Sequence, residues 1–194
     1  MSENGIPIDI SQDSDYQSVF LSSIDSKTLL MIADFFQYRT ANSYDSPLSL
    51  KIDLLLSEAQ KDELFKRLLD SANILDSDIL FSSILRNNIK EIREMELSDL
   101  TLRCDRIKGF FHQNNQPMKN GLSQHKIDSL FKHVRDAFAH GRIASVEPFL
   151  LLEDKKKQLT GRLIITIDAL LKWKIVVEEY LQEISKINSE GEKT

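Results

Sequence analysis

The chain has 194 residues, of which 41% are hydrophobic and 28% charged, with only six Gly and four Pro. That length suffices for one well-buried domain, or for a domain with a helical extension, and the composition excludes global disorder. The net charge of -5 excludes a generic nucleic-acid coat.

Scarce chain-breakers favour helix. Met1 to Asp15 is polar, and Tyr16 to Ser23 is read as a short helix. Ser26 to Tyr38 is a stronger one, because Leu29, Leu30, Ile32, Ala33 and Phe36 keep helical spacing behind Ser26 as cap. Ala41 to Pro47 reads as a loop, followed by helical segments over Ser49 to Leu56 and Ser57 to Leu69. Ser57 and Gln60 have the spacing of a capping box.

The spacing then predicts two long helices, Asp76 to Met95 and Ser98 to His112, and a Gly/Asn/Gln-rich loop over Gln113 to Gly121. Ser123 to His140 is a helix with the apolar stripe Ile127, Leu130, Phe131, Val134, Ala137 and Phe138, ended by Gly141. Short strands follow over Ile143 to Val146, Phe149 to Leu152 and Arg162 to Ile165, with Glu153 to Gly161 as a charged turn. Thr166 caps a last helix, Ile167 to Ile187. The expected organisation is an N-terminal acidic helical extension, residues 1–75, before a core of residues 76–194.

The single cysteine, Cys104, fits a reducing compartment and a buried small side chain. No secretory signal is visible, and no apolar run reaches the roughly 18 residues that span a bilayer. A cytoplasmic protein without membrane contact is expected.

Charge is uneven along the chain. Residues 1–100 hold 9 Lys/Arg against 18 Asp/Glu, whereas residues 101–142 hold 8 against 3. His112, His125, His133 and His140, all the histidines, fall in that basic window. Such a window in an acidic chain points to an anionic partner.

The window ends in Arg135-Asp136-Ala137-Phe138-Ala139-His140-Gly141. At about 100° per residue, Asp136 and His140 share one side of the helix and Arg135 lies at the opposite border of the apolar stripe. Arg135 and His140 therefore complete a site only if the helix opens at Gly141 or a second copy approaches.

Arg-x4-His at a helix end, after two long helices and before a hairpin and closing helix, resembles the HEPN family of small helical nucleases and toxins. The resemblance covers residues 76–187. It implies a mainly α fold: a HEPN-like up-and-down helical bundle with an N-terminal helical extension and a small β-hairpin after the motif helix. It also implies a metal-independent endoribonuclease, a toxin or antiviral defence factor, working as a homodimer through the motif helix. No cofactor or metal is implied, and the partners would be RNA and a cognate antitoxin protein.

On that resemblance the catalytic residues are Arg135, His140 and Asp136. His140 would move the proton of the ribose 2'-hydroxyl, Arg135 would hold the pentavalent phosphate, and Asp136 would orient the imidazole. Arg142, Lys132 and His133 would bind the RNA backbone. The family often has asparagine where Asp136 stands. Some members carry a tyrosine where Arg142 stands, so inactivation through that tyrosine is not expected.

Other readings compete. His140 serves as a cationic helix C-cap, Arg135 pairs with an acid, or His133, Asp136 and His140 form a metal face. Lys155, Lys156 and Lys157 form a solvated hairpin tip. Phe110, Phe111, Phe131 and Phe138 read as core, and Trp173 as an interface residue. The alternative functions are a non-catalytic HEPN-like module that binds RNA or protein, and a structural helical dimer.

Overall fold

The structure is a computed structural model that describes residues 25–40, 52–83, 107–113, 124–146, 149–155 and 159–191. Helix α1 (Ser26–Asp34) is capped by Asp25, not Ser26: the Asp25 carboxylate accepts from Thr28 N and Thr28 Oγ1, both at 2.9 Å. It continues into a wider π-turn over Phe35–Arg39. A short α2 (Ile52–Leu55) precedes α3 (Glu58–Ser71), which starts with the expected Ser57/Gln60 capping box.

Two expected helices prove to be mainly strand where they are described, after one tight helical turn over Asp76–Asp78. Ile79–Ser82 is strand β1 and Lys108–His112 is strand β2. Short apolar runs such as Ile79-Leu80-Phe81 and Phe110-Phe111 suit either period, and pairing decides between them. Here β1 pairs parallel to β2, and β2 pairs antiparallel to β5. The remainder of the two expected helices, residues 84–106, lies outside the described residues, as do the helix expected over Tyr16 to Ser23, the loop Ala41 to Pro47, Cys104, Lys156 and Lys157.

Helix α4 (Lys126–Ala139) carries the motif. After it come β3 (Ile143–Val146), β4 (Phe149–Lys155), β5 (Leu159–Thr166) and α5 (Ile167–Gly191). Thr166 Oγ1 accepts from Ala169 N at 3.2 Å, the expected cap. The strands form one five-stranded sheet in the order β1-β2-β5-β4-β3.

The fold is therefore α/β: helices packed on a mixed sheet. This corrects the expected mainly α, HEPN-like bundle with only a small hairpin. The pairing of β2 with β5 draws the hairpin into a larger sheet that the sequence did not announce.

One sheet face supplies Phe111, Leu150, Leu152, Leu163 and Ile165 to the core. The stripe of α4 joins them, and so do Ile32, Phe35 and Phe36 of the first helical segment, Leu64 and Leu68 of α3, and Leu170, Trp173, Val177 and Tyr180 of α5. Residues before and after position 75 thus share one apolar cluster. Phe110, Phe111, Phe131 and Phe138 are all buried, as the sequence suggested.

Trp173, expected at an interface, is instead fully buried, and its indole N–H donates to Leu68 O at 3.0 Å. That bond serves the one polar atom of a large apolar side chain. No helix of the described residues is long and apolar enough to cross a membrane.

Candidate functional site at the end of the sheet

Strands β1 and β2 run parallel, and β4 runs antiparallel to β5 as β2 does. The C-terminal ends of β1, β2 and β4 therefore meet the start of β5 at one end of the sheet. Ser82, His112, Asp154 and Thr160 lie at that end, beneath α4.

Two anchors place α4. Its N-cap is His125, whose Nδ1 accepts from Ile127 N at 3.2 Å while Nε2 faces Asp62 Oδ1 at 3.1 Å. One turn on, Asp128 takes the ammonium of Lys61 from α3 at 3.0 Å, with both side chains buried. Burial alone would weaken the Lys61 charge, but Asp128 and then Glu58 outweigh it and hold the Lys61 pKa above its ordinary value.

His133 faces inward from the middle of α4 and is buried. Its ring stacks on Phe111, with centroids 5.5 Å apart. Nδ1 lies 2.7 Å from Asp154 Oδ2, and Nε2 lies 2.7 Å from the His112 carbonyl oxygen. Both partners only accept, so the ring satisfies both bonds when both nitrogens carry protons. His133 thus presents no ring edge to solvent for RNA.

Gly161 makes this approach possible. A Cβ there would sit 2.9 Å from His133 Cγ. Gly161→Ala is expected to destabilise the protein by about 1–3 kcal/mol through this overpacking, measured by urea unfolding. An unchanged midpoint would show that the ring is free to move away.

Asp154 is almost wholly buried on β4 and also accepts from Thr160 Oγ1 at 3.0 Å. Burial opposes its ionisation. The hydrogen bond and charge of His133, then Lys132 and Thr160, outweigh that and hold its carboxyl below the usual range. His112 is pushed the other way. Burial lowers its pKa against the Ser82 carbonyl, which faces Nδ1 at 3.2 Å, and the charges of His133 and Lys132 lower it further. His112 is therefore neutral at pH 7, with Nδ1–H donated to Ser82.

Asp136 is buried too, and its Oδ1 accepts from Arg135 Nε at 2.9 Å and from the Arg135 terminal nitrogen. Lys132 Nζ stands 3.4 Å from Asp136 Oδ2 and 3.7 Å from Asp154 Oδ2. The Asp136 carboxylate is thus turned to Arg135 and Lys132, not to the His140 ring as expected. Only its backbone oxygen meets His140, accepting from His140 N at 3.1 Å.

Helix α4 ends at His140 as C-cap, and Gly141 takes φ +63, the left-handed conformation that glycine adopts without strain. Arg142 N donates to Ala137 O at 2.9 Å, and Glu153 N donates to Arg142 O at 3.0 Å, so the motif end is tied to β4. The His140 ring is exposed and has no hydrogen-bond partner among the described residues. Arg135 is about one-third exposed. No hydrogen bond or ion pair joins it to His140.

The structure therefore gathers Lys132, His133, Arg135 and Asp136 into one network with Asp154, and leaves His140 outside it. Among the described residues, no group of three or more His, Cys, Asp or Glu side chains is placed to hold a metal ion, so His133, Asp136 and His140 do not converge as ligands.

Asp154, Thr160 and His112 were missed as site residues. Glu153-Asp154 reads as the start of a solvated turn, yet it continues the run of Phe149-Leu150-Leu151-Leu152. That continuity is the signal that β4 reaches Asp154.

A groove of about 540 Å³ elsewhere is lined by Arg39, Glu178, Leu181, Gln182, Ser185 and Lys186. Its Arg39 is already paired to Glu178 at 2.6 Å, and it includes none of the motif residues. Comparison with known proteins adds no name to the site: no family model, curated protein or solved structure matches the chain.

Proposed function

We propose that the chain is a metal-independent endoribonuclease in the manner of the HEPN nucleases its motif resembles, acting in the cytoplasm as a toxin or antiviral defence factor. The observation that carries this reading is His140, exposed at the end of α4 with no side-chain partner among the described residues, five residues after a one-third exposed Arg135 and two before Arg142. The motif carries the reading and the overall fold does not, because the five-stranded sheet departs from the expected bundle.

The chemistry suits these groups. His140 takes the proton of the ribose 2'-hydroxyl as that oxygen bonds to phosphorus. The 5'-oxygen then leaves with a proton, giving a 2',3'-cyclic phosphate and a 5'-hydroxyl. Arg135 holds the charge that builds on the phosphate oxygens, and Arg142 binds the flanking backbone. Because Arg135 and His140 are not joined within one chain, the complete site draws on a second copy, and the working form is a homodimer through α4.

Purified protein incubated with total RNA in EDTA is expected to cut it and leave cyclic phosphate ends. His140→Ala is expected to lose about 10²–10⁴-fold in rate, and Arg135→Ala about 10²–10³-fold. If the wild-type protein cuts nothing, or the variants cut equally well, the nuclease reading is abandoned.

A second reading is a non-catalytic module that binds RNA or a partner protein. The Arg135–Asp136 pair favours it, since that pair occupies the arginine. RNA retarded on a gel by wild-type protein and by His140→Ala alike, without cleavage, would select it.

A further inference from the structure

Five side chains run in one line from the sheet to the motif. His133 and Asp154 form the buried end, at 2.7 Å. Lys132 Nζ stands between Asp154 Oδ2 at 3.7 Å and Asp136 Oδ2 at 3.4 Å. Asp136 Oδ1 then takes Arg135 Nε at 2.9 Å.

Both carboxylates are more than nine-tenths buried, and each has one oxygen, Asp136 Oδ2 and Asp154 Oδ1, that accepts no hydrogen bond. Lys132 is by contrast almost half exposed. Its ammonium is therefore placed as the shared counter-charge of two buried anions rather than as a free contact for RNA.

We propose that Lys132 is a positioning residue, joining the Asp154–His133 pair to Asp136 so that the Asp136 carboxylate stays in place to hold Arg135. The physical argument is like-charge repulsion. Without Lys132, Asp136 and Asp154 face each other across low-dielectric protein with less compensation. His133 and Thr160 hold the Asp154 carboxylate in place, so Asp136 is the one that moves away. Arg135 then loosens, although Lys132 never touches it.

The inference rests on reading Arg135 as the phosphate-holding side chain, but its test does not need RNA. The Arg135 Nε–H is observed directly by ¹⁵N NMR, and its hydrogen exchange reports how firmly Asp136 holds it. Lys132→Met is expected to speed that exchange roughly tenfold, and Lys132→Arg to restore it, because a cation is again present. Thr160→Val removes the hydroxyl on Asp154 Oδ2, so that oxygen draws Lys132 toward itself and away from Asp136. It is expected to move the exchange the same way by about two- to threefold, and it decides the matter should Lys132→Met fail to fold.

Exchange unchanged in a folded Lys132→Met protein, or in Thr160→Val where that variant must decide, overturns the proposal. Cleavage of RNA is measured beside it. If Nε–H responds as expected while wild-type protein cuts no RNA, the nuclease reading falls and the positioning role stands. If RNA is cut while Nε–H does not respond, the positioning role falls alone.

Discussion

Lys61→Ala is expected to destabilise the protein by about 3–5 kcal/mol, the cost of removing one partner of a buried ion pair. The group that loses its cation is Asp128. Its carboxylate is 3% exposed, and the Lys61 ammonium, 4% exposed, sits 3.0 Å away. Glu58, at 3.4 Å from the same ammonium, is half exposed and adds little. In a chain of this size the loss corresponds to a fall of about 10 °C in the unfolding midpoint.

The pair links α3 to the first turn of α4, so its loss also loosens the helix that carries the motif. Replacing both partners with apolar residues, Lys61→Met with Asp128→Leu, is expected to recover most of the stability, since no charge is then stranded. The sign with pH follows from the raised Lys61 pKa: its contribution is whole below the unfolded value, about 10.4, and fades only as pH rises through the folded one. A Lys61→Ala protein as stable as wild type in denaturant titrations at pH 7 would show that Asp128 finds water or another partner.

Some of this was legible from residues alone. The apolar stripe of α4, Gly141, the three strands after it and the cap at Thr166 follow from local chemistry: helical period, left-handed glycine, β-branched alternation and a hydroxyl at the right step. Strands β1 and β2 did not. The strands are four and five residues long, and only distant pairing makes them strands: β2 with β5, and β1 in turn with β2. No local window holds that information.

The site divides the same way. The motif spacing put Arg135, Asp136 and His140 near one helix end, and the helical wheel correctly kept Arg135 apart from His140. What a wheel could not supply was depth. His133 and Asp136 looked like the polar face of a surface helix, yet they are buried, because β4 brings Asp154 under α4. Lys132 and the terminal His140 kept substantial exposure on that face, Lys132 because its long stem reaches out between the two carboxylates.

That buried ring of charge gives the second large effect. Asp154→Ala is expected to cost about 3–5 kcal/mol, because it removes the buried carboxylate that His133, Thr160 and Lys132 share. Asp154→Asn keeps an acceptor for His133 Nδ1 and removes only the charge, so about 1–3 kcal/mol is expected. The two variants separate the loss of a partner from the loss of a charge.

The pH dependence fixes the sign. Asp154 has its folded pKa held below the unfolded value of about 3.9, so its stabilisation is fully present above that value and is lost as pH falls through the folded one. The stability gap between wild type and Asp154→Asn should therefore be open at about pH 5. It should close as the carboxylate of the wild type takes up its proton below about 4. Urea titrations of both proteins across that range measure it. A gap that stays constant to the lowest pH at which both fold would mean that the Asp154 charge contributes nothing. The contact with His133 would then be a neutral hydrogen bond, and the line of charge leading to Arg135 would end at Lys132.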